Sequence, residues 1–300
     1  MKNAIKTLFV IFALAAAMTL WGAVHARAAK VTMSTDGNVL RINGEPLFIV
    51  SGAMHYFRVP KQLWEDRLIK MKQAGLNTVE TYIAWNYHEP KFGKANYTEL
   101  EDFIKLTEKV GLHLIIRPGP YICAEWAAGG YPEWVIESGA SLRTDDPRHL
   151  AAIQHYYDDL LPILRRHLIT NGGNIILFQI ENEYDFFHSA SDKEREGLLD
   201  YLYNAAVQGG IDVPIFTCWT HEARDGKTRL GKNVVDGPNF YPRGNLDSVK
   251  QALTKLRNEQ PEQPMWIPEL EGGWFSNAGG MLSINQPGVD APEINSLTKF

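Results

Sequence analysis

The sequence predicts an α/β fold in which a parallel sheet is covered by helices. Three observations carry this. Short apolar strands alternate with amphipathic helical stretches along the chain, no Gly-rich phosphate loop follows the first strand, and polar and aromatic residues gather after nearly every strand. The alternation alone suits a doubly wound sheet and a closed barrel equally. The other two observations select the barrel, because barrel enzymes assemble their sites from the loops at the carboxyl ends of the strands. The expected architecture is a (β/α)8 TIM barrel, lacking its last strand in this chain.

The elements follow in order. A β-rich lead-in covers Val31 to Pro46, and Phe48-Ile49-Val50 begins a strand toward His55. The stretch Trp64 to Ala74, with Leu68, Ile69 and Met71 spaced among Lys and Glu, is helical and stops at Gly75. Thr78 to Trp85 reads as a β-branched and aromatic strand, Leu100 to Val110 as a helix stopped by Gly111, and His113 to Ile116 as a strand. Asp146-Pro147 opens a long helix through Leu168, with the Asp as N-cap and the Pro in the first turn. Asn174 to Ile180 is a strand, Asp192 to Val207 a helix, Pro214 to Cys218 a strand and Asn233 to Val235 a weaker one. Ser248 to Arg257 is a helix, and Met265 to Glu269 a seventh strand. Only Gly279 to Ile284 offers itself as an eighth, so residues 29–300 are expected to form a catalytic barrel incomplete at its C-terminus.

Composition narrows the class of partner. The 300 residues are 45% hydrophobic and 22% charged with a net charge of −5, which gives material for a large core and no basic stripe for nucleic acid. At the N-terminus, Lys2 and Lys6 precede an apolar run from Thr7 to Val24, and Ala26-Arg27-Ala28 has the small-x-small cleavage pattern. Residues 1–28 therefore read as a signal peptide, with export to a periplasmic or extracellular location and no stable membrane association after cleavage. Cys123 and Cys218 are too few for a disulfide framework and have no metal-binding spacing; two buried thiols are expected. His55 and His88 have no second ligand nearby in sequence and read as core or supporting hydrogen-bonding groups.

Chemistry concentrates at strand ends. Gln179-Ile180-Glu181-Asn182-Glu183-Tyr184 directly follows the apolar run Ile175 to Phe178, and charge at the end of a buried strand is costly unless paired or functional. Trp266-Ile267-Pro268-Glu269-Leu270-Glu271 repeats the pattern on the seventh strand, roughly across a barrel from the fourth. Two opposed carboxylates are what cleavage of a glycosidic bond needs. Period-two alternation puts Glu181 with Glu183 on one face and Glu269 with Glu271 on another, so two candidates stand on each strand. Two further clusters, Arg117 to Trp126 and Glu80 to Pro90, supply Tyr, Glu and Trp suited to sugar hydroxyls and faces.

Four segments together resemble the glycoside hydrolase family 35 β-galactosidases: Ser51 to Pro60, Tyr82 to Pro90, Arg117 to Trp126 and Gln179 to Tyr184, in the family's order. The resemblance implies a retaining exo-β-galactosidase with Glu183 as general acid/base and Glu269, five residues before Trp274, as nucleophile. It implies that Tyr82, Cys123, Ala124, Glu125 and Asn182 hold the galactose hydroxyls, that no metal or organic cofactor is used, and that the substrate is an oligosaccharide or polysaccharide β-galactoside. Glu271 stands where many members carry an aromatic residue, a departure that bears on sugar preference. The alternatives left by the residues themselves are a β-glucosidase or exo-β-glucosaminidase on the same barrel, and an inactive sugar-binding fragment.

Overall fold

A computed structural model describes residues 32–36, 39–185, 191–220, 234–239, 246–259, 261 and 263–270. The expected signal peptide at 1–28, Glu271, Trp274 and the stretch Gly279 to Ile284 lie outside the described residues. Among the described residues no helix is long and apolar enough to cross a membrane.

The lead-in is a three-stranded antiparallel sheet of β1 (Met33–Asp36), β2 (Val39–Ile42) and β3 (Glu45–Pro46). A second sheet follows, of six parallel strands: β4 (Ser51–Ala53), β5 (Thr78–Tyr82), β6 (His113–Arg117), β7 (Ile175–Gln179), β8 (Ile215–Trp219) and β9 (Val234–Pro238). Their spatial order is their chain order throughout. A doubly wound sheet reverses direction at a switch point, whereas a barrel adds each strand beside the last, so the strand order itself selects the barrel type. Every residue of β5, β7 and β8 is buried, as expected of parallel strands covered on both faces.

The helices cover this sheet. They are α1 (Trp64–Gln73), the single turns α2 (Trp85–His88) and α4 (Glu133–Ile136), α3 (Thr98–Val110), α5 (Pro147–Arg166), α6 (Asp192–Gln208) and α7 (Leu246–Glu259). Local signals set their ends. Asp146 accepts from Arg148 N at the start of α5, with Pro147 at its first position, and Ser191 and Glu194 form a capping box on α6. Gly111 ends α3 at φ 76°, a left-handed conformation that glycine adopts without a Cβ penalty.

Three expected strand boundaries are corrected. The first strand is confined to Ser51–Ala53, and the second ends at Tyr82, after which Trp85–His88 turns into a helix. Met265 to Glu269 carries no strand ladder, because Pro264 and Pro268 both lack the amide proton a ladder needs. The segment nevertheless runs beside β9. Gln263 donates to Val234 O at 3.0 Å, the Trp266 ring lies 5.5 Å from Phe216, and a Cβ on Gly237 would stand 2.4 Å from Pro268 Cδ. Glycine at 237 is what lets this closing segment approach.

Candidate active site

The carboxyl ends of β5 to β9 converge on one polar cluster. Its centre is Arg117, the last residue of β6 and only 1% exposed. Nε donates to Gln179 Oε1 at 2.5 Å, while Nη2 donates to Asn182 Oδ1 at 2.9 Å and to Glu269 Oε1. Nη1 reaches Glu80 Oε1 at 3.3 Å, and Cys218 Sγ lies 3.4 Å from Nη2. Such a buried guanidinium needs carboxylate partners, and here two share it.

Tyr82 closes the cluster from β5. Its hydroxyl lies 2.7 Å from Glu269 Oε1 and 3.0 Å from Asn182 Oδ1, and its ring rests 4.1 Å from the Arg117 guanidinium. Asn182 Oδ1 also takes Gln179 Nε2 at 3.1 Å and the Cys218 thiol at 3.1 Å. Donors from four strands thus fix a single side-chain oxygen. Burial leads the shift of Glu80, whose carboxyl is pushed up to about 7; Arg117 opposes that shift and Glu269 adds to it.

The turn after β7 departs from the expected geometry. Glu181 and Glu183 both lie at positive φ, 55° and 45°, so the chain leaves the extended path and period-two alternation no longer applies. The two side chains therefore part. Glu181 pairs with Arg143 at 2.7 Å, whereas Glu183 accepts from Asn239 Nδ2 at 2.8 Å. Burial raises the Glu183 carboxyl above its ordinary value; the Asn239 hydrogen bond opposes this and the charge of Glu269 reinforces it. Glu183 N donates to Cys218 O at 3.0 Å, and the Cys218 thiol meets Asn182 Oδ1, so this turn adjoins the cluster around Arg117 and Glu269.

The loop after β6 holds the remaining predicted residues. Cys123, Ala124 and Glu125 are consecutive left-handed residues at φ 52°, 50° and 45°, a costly run for residues with a Cβ. Arg58 clamps it: Nη2 donates to the carbonyls of Ala124 and of Glu125, the latter at 2.9 Å, and the guanidinium sits 5.2 Å from the Trp126 ring. Ala124 packs with Tyr82 in a small apolar cluster. Glu125 is exposed, and partial desolvation followed by the charge of Glu269 raises its carboxyl. Both cysteines are free thiols, Cys218 buried and Cys123 partly so. His88 is a core residue bonded to the Tyr56 hydroxyl and, at 2.7 Å, to Asn96 O.

All seven predicted site residues thus fall in one region, and Tyr82, Asn182 and Glu269 are directly hydrogen-bonded. Arg117 opens a cluster that the sequence marks but assigns no role of its own, and Asn239 lies in none of the marked segments. A charged residue ending the apolar run Leu114-Ile115-Ile116 was the available signal for Arg117, whereas Asn239 carries none.

Two acids thus stand at the strand ends of this sheet, Glu269 held by a cation and a hydroxyl and Glu183 raised by burial, a division of settings that glycoside cleavage uses. The comparisons agree. Residues 39–295 match glycosyl hydrolases family 35, and the chain belongs to that family. It is 37% identical to a "Beta-galactosidase" of Canis lupus familiaris over 92% of this chain and 41% of that protein. It is 37% identical to a "Beta-galactosidase" of Xanthomonas manihotis over 92% of this chain and 45% of that protein. The chain therefore spans less than half the length of these curated relatives. An exo-beta-1,4-mannosidase of Opitutaceae bacterium strain TAV5 shares the fold at a TM-score of 0.66 and 16% identity, over 83% of this chain and 50% of that one.

Proposed function

We propose that this chain is the catalytic barrel of a retaining exo-β-galactosidase that removes terminal non-reducing β-D-galactosyl residues from oligosaccharides or polysaccharides. The observation that carries the reading is that Glu269, held by Arg117 and Tyr82, and Glu183, held by Asn239, join one hydrogen-bonded network through Asn182 and Cys218, each in a different electrostatic setting. In this mechanism Glu269 attacks the anomeric carbon and the C–O bond to the leaving group breaks. Glu183 gives its proton to the departing oxygen, so a covalent galactosyl ester remains. Glu183, now a carboxylate, takes a proton from water as that water displaces Glu269.

The environments support this division. Donation from Arg117 and Tyr82 to Glu269 Oε1 stabilises negative charge where a nucleophile needs it. A raised Glu183 carboxyl keeps its proton at a higher pH, as a general acid requires. Tyr82, Cys123, Ala124, Glu125 and Asn182 are the proposed contacts to the galactose hydroxyls, and the family resemblance supports each position. Residues 1–28 are proposed to be removed during export to the periplasm or medium.

The test is hydrolysis of an aryl β-galactoside beside the matching β-glucoside, with Glu269→Gln and Glu183→Ala compared with wild type. Galactoside cleavage that Glu269→Gln abolishes, with circular dichroism unchanged, is the expected result. Normal turnover in Glu269→Gln overturns the assignment.

A further inference from the structure

The acid/base turn is assembled around one guanidinium. Arg143, in the segment before α5, is 5% exposed. Its Nε reaches Glu181 Oε1 at 3.2 Å, and Nη2 reaches Glu181 Oε2 at 2.7 Å. The same Nη2 donates to the carbonyls of Asn182 at 2.8 Å and Glu183 at 3.3 Å. Glu181 Oε2 in turn accepts from Asn182 N at 2.8 Å. The guanidinium rests 3.9 Å from the Tyr121 ring and 5.2 Å from that of Tyr184, whose hydroxyl donates back to Arg143 O.

Three separate segments meet on this group: the loop after β6 through Tyr121, the segment before α5, and the turn after β7. Glu181, Glu183 and Arg143 itself, at φ 56°, all adopt left-handed backbone. Non-glycine residues hold that conformation only where their surroundings over-determine it. Stability alone does not require an ion pair here, since a well-packed apolar pair commonly folds as well. What the pair adds is direction. Its planar fork binds one carboxylate and two successive carbonyls at once, which fixes the path from which the Glu183 side chain leaves.

We infer that Arg143, with Glu181 as its counterion, is a positioning residue that holds Glu183 at the proton-transfer distance. The inference rests on the acid/base role proposed for Glu183. Lysine at 143 would keep the charge but not the fork.

The test compares kcat/KM on two galactosides in the full-length protein. Dinitrophenyl β-galactoside has a leaving group that departs without protonation, whereas methyl β-galactoside needs the proton. Arg143→Lys is expected to lose about 100-fold on the methyl substrate and under about 5-fold on the dinitrophenyl one, and Glu181→Gln about 10-fold on the methyl substrate alone. Equal losses on both substrates, or no loss on either, overturn the inference. Where Arg143→Lys does not fold, the isosteric Glu181→Gln decides by the same criterion. Glu183→Ala serves as control: if it shows no dependence on the leaving group, the acid/base role itself fails, an outcome separate from that of the Arg143 variants.

Discussion

Arg117 and Glu269 are joined across the sheet: Arg117 Nη2 donates to Glu269 Oε1, the same oxygen that the Tyr82 hydroxyl meets at 2.7 Å. The residues are 152 positions apart, one ending β6 and the other in the closing segment beside β9. A single buried cation thereby connects Glu269 with Glu80 and with Asn182.

Removing that cation should cost more than removing any one of its contacts. Arg117→Met leaves Glu80 and Glu269 facing each other in a desolvated site, and we expect kcat/KM to fall by about 10³-fold. Arg117→Lys should recover part of the loss, since it returns the charge without the fork. Steady-state kinetics on an aryl galactoside, with thermal unfolding measured in parallel, tests both variants. Wild-type kcat/KM in Arg117→Met would refute the arrangement.

Glu80 gives stability a pH dependence of definite sign. Burial raises its carboxyl from 4.5 to about 7, so between those values the folded chain holds a proton that the unfolded chain releases. The stabilisation is therefore complete below about pH 4.5 and is lost as pH rises through 7, a decline of roughly 3 kcal/mol. Glu80→Gln should flatten the curve and be the more stable form at pH 8. Urea unfolding at pH 5 and pH 8 measures this; parallel slopes in the two proteins would exclude it.

Asn239 tunes Glu183. Its Nδ2 bonds Glu183 Oε1 at 2.8 Å and favours the ionised form. Asn239→Ala should raise the Glu183 carboxyl further and move the basic limb of the kcat/KM profile to higher pH. A basic limb that stays in place, or moves down, counts against Glu183 as the group that limits it.

Backbone cost in the loop after β6 is testable away from the two acids. Ala128 is exposed at φ 54°, where a Cβ is unfavourable by roughly 1–2 kcal/mol. Ala128→Gly relieves this but loosens the unfolded chain, so a net gain of about 0.5–1 kcal/mol is expected, with activity unchanged. Denaturant unfolding should show a higher midpoint, and a lower one would contradict the strain.

The order of strands and helices was legible because each element buries its own apolar face, a local property written as periodicity. Boundaries failed where polar chemistry intervened. Thr78 to Trp85 reads as one strand, yet the chain turns into α2 after Tyr82, and Met265 to Glu269 is strand-like in composition but barred from a ladder by its prolines.

The acids at positions 181, 183 and 269 were visible as charges at the ends of apolar runs, and the sequence by itself determined that a polar site would stand there. Which acid faces which partner was decided only by the tertiary structure. Left-handed backbone at Glu181 and Glu183 breaks the two-residue alternation, and the sorting then follows from distant groups: Arg143 takes Glu181, Asn239 takes Glu183, and Arg117 with Tyr82 takes Glu269. Hydrogen bonds between residues far apart in the chain leave no periodic trace in it, so their pairing becomes readable only once the strands lie side by side.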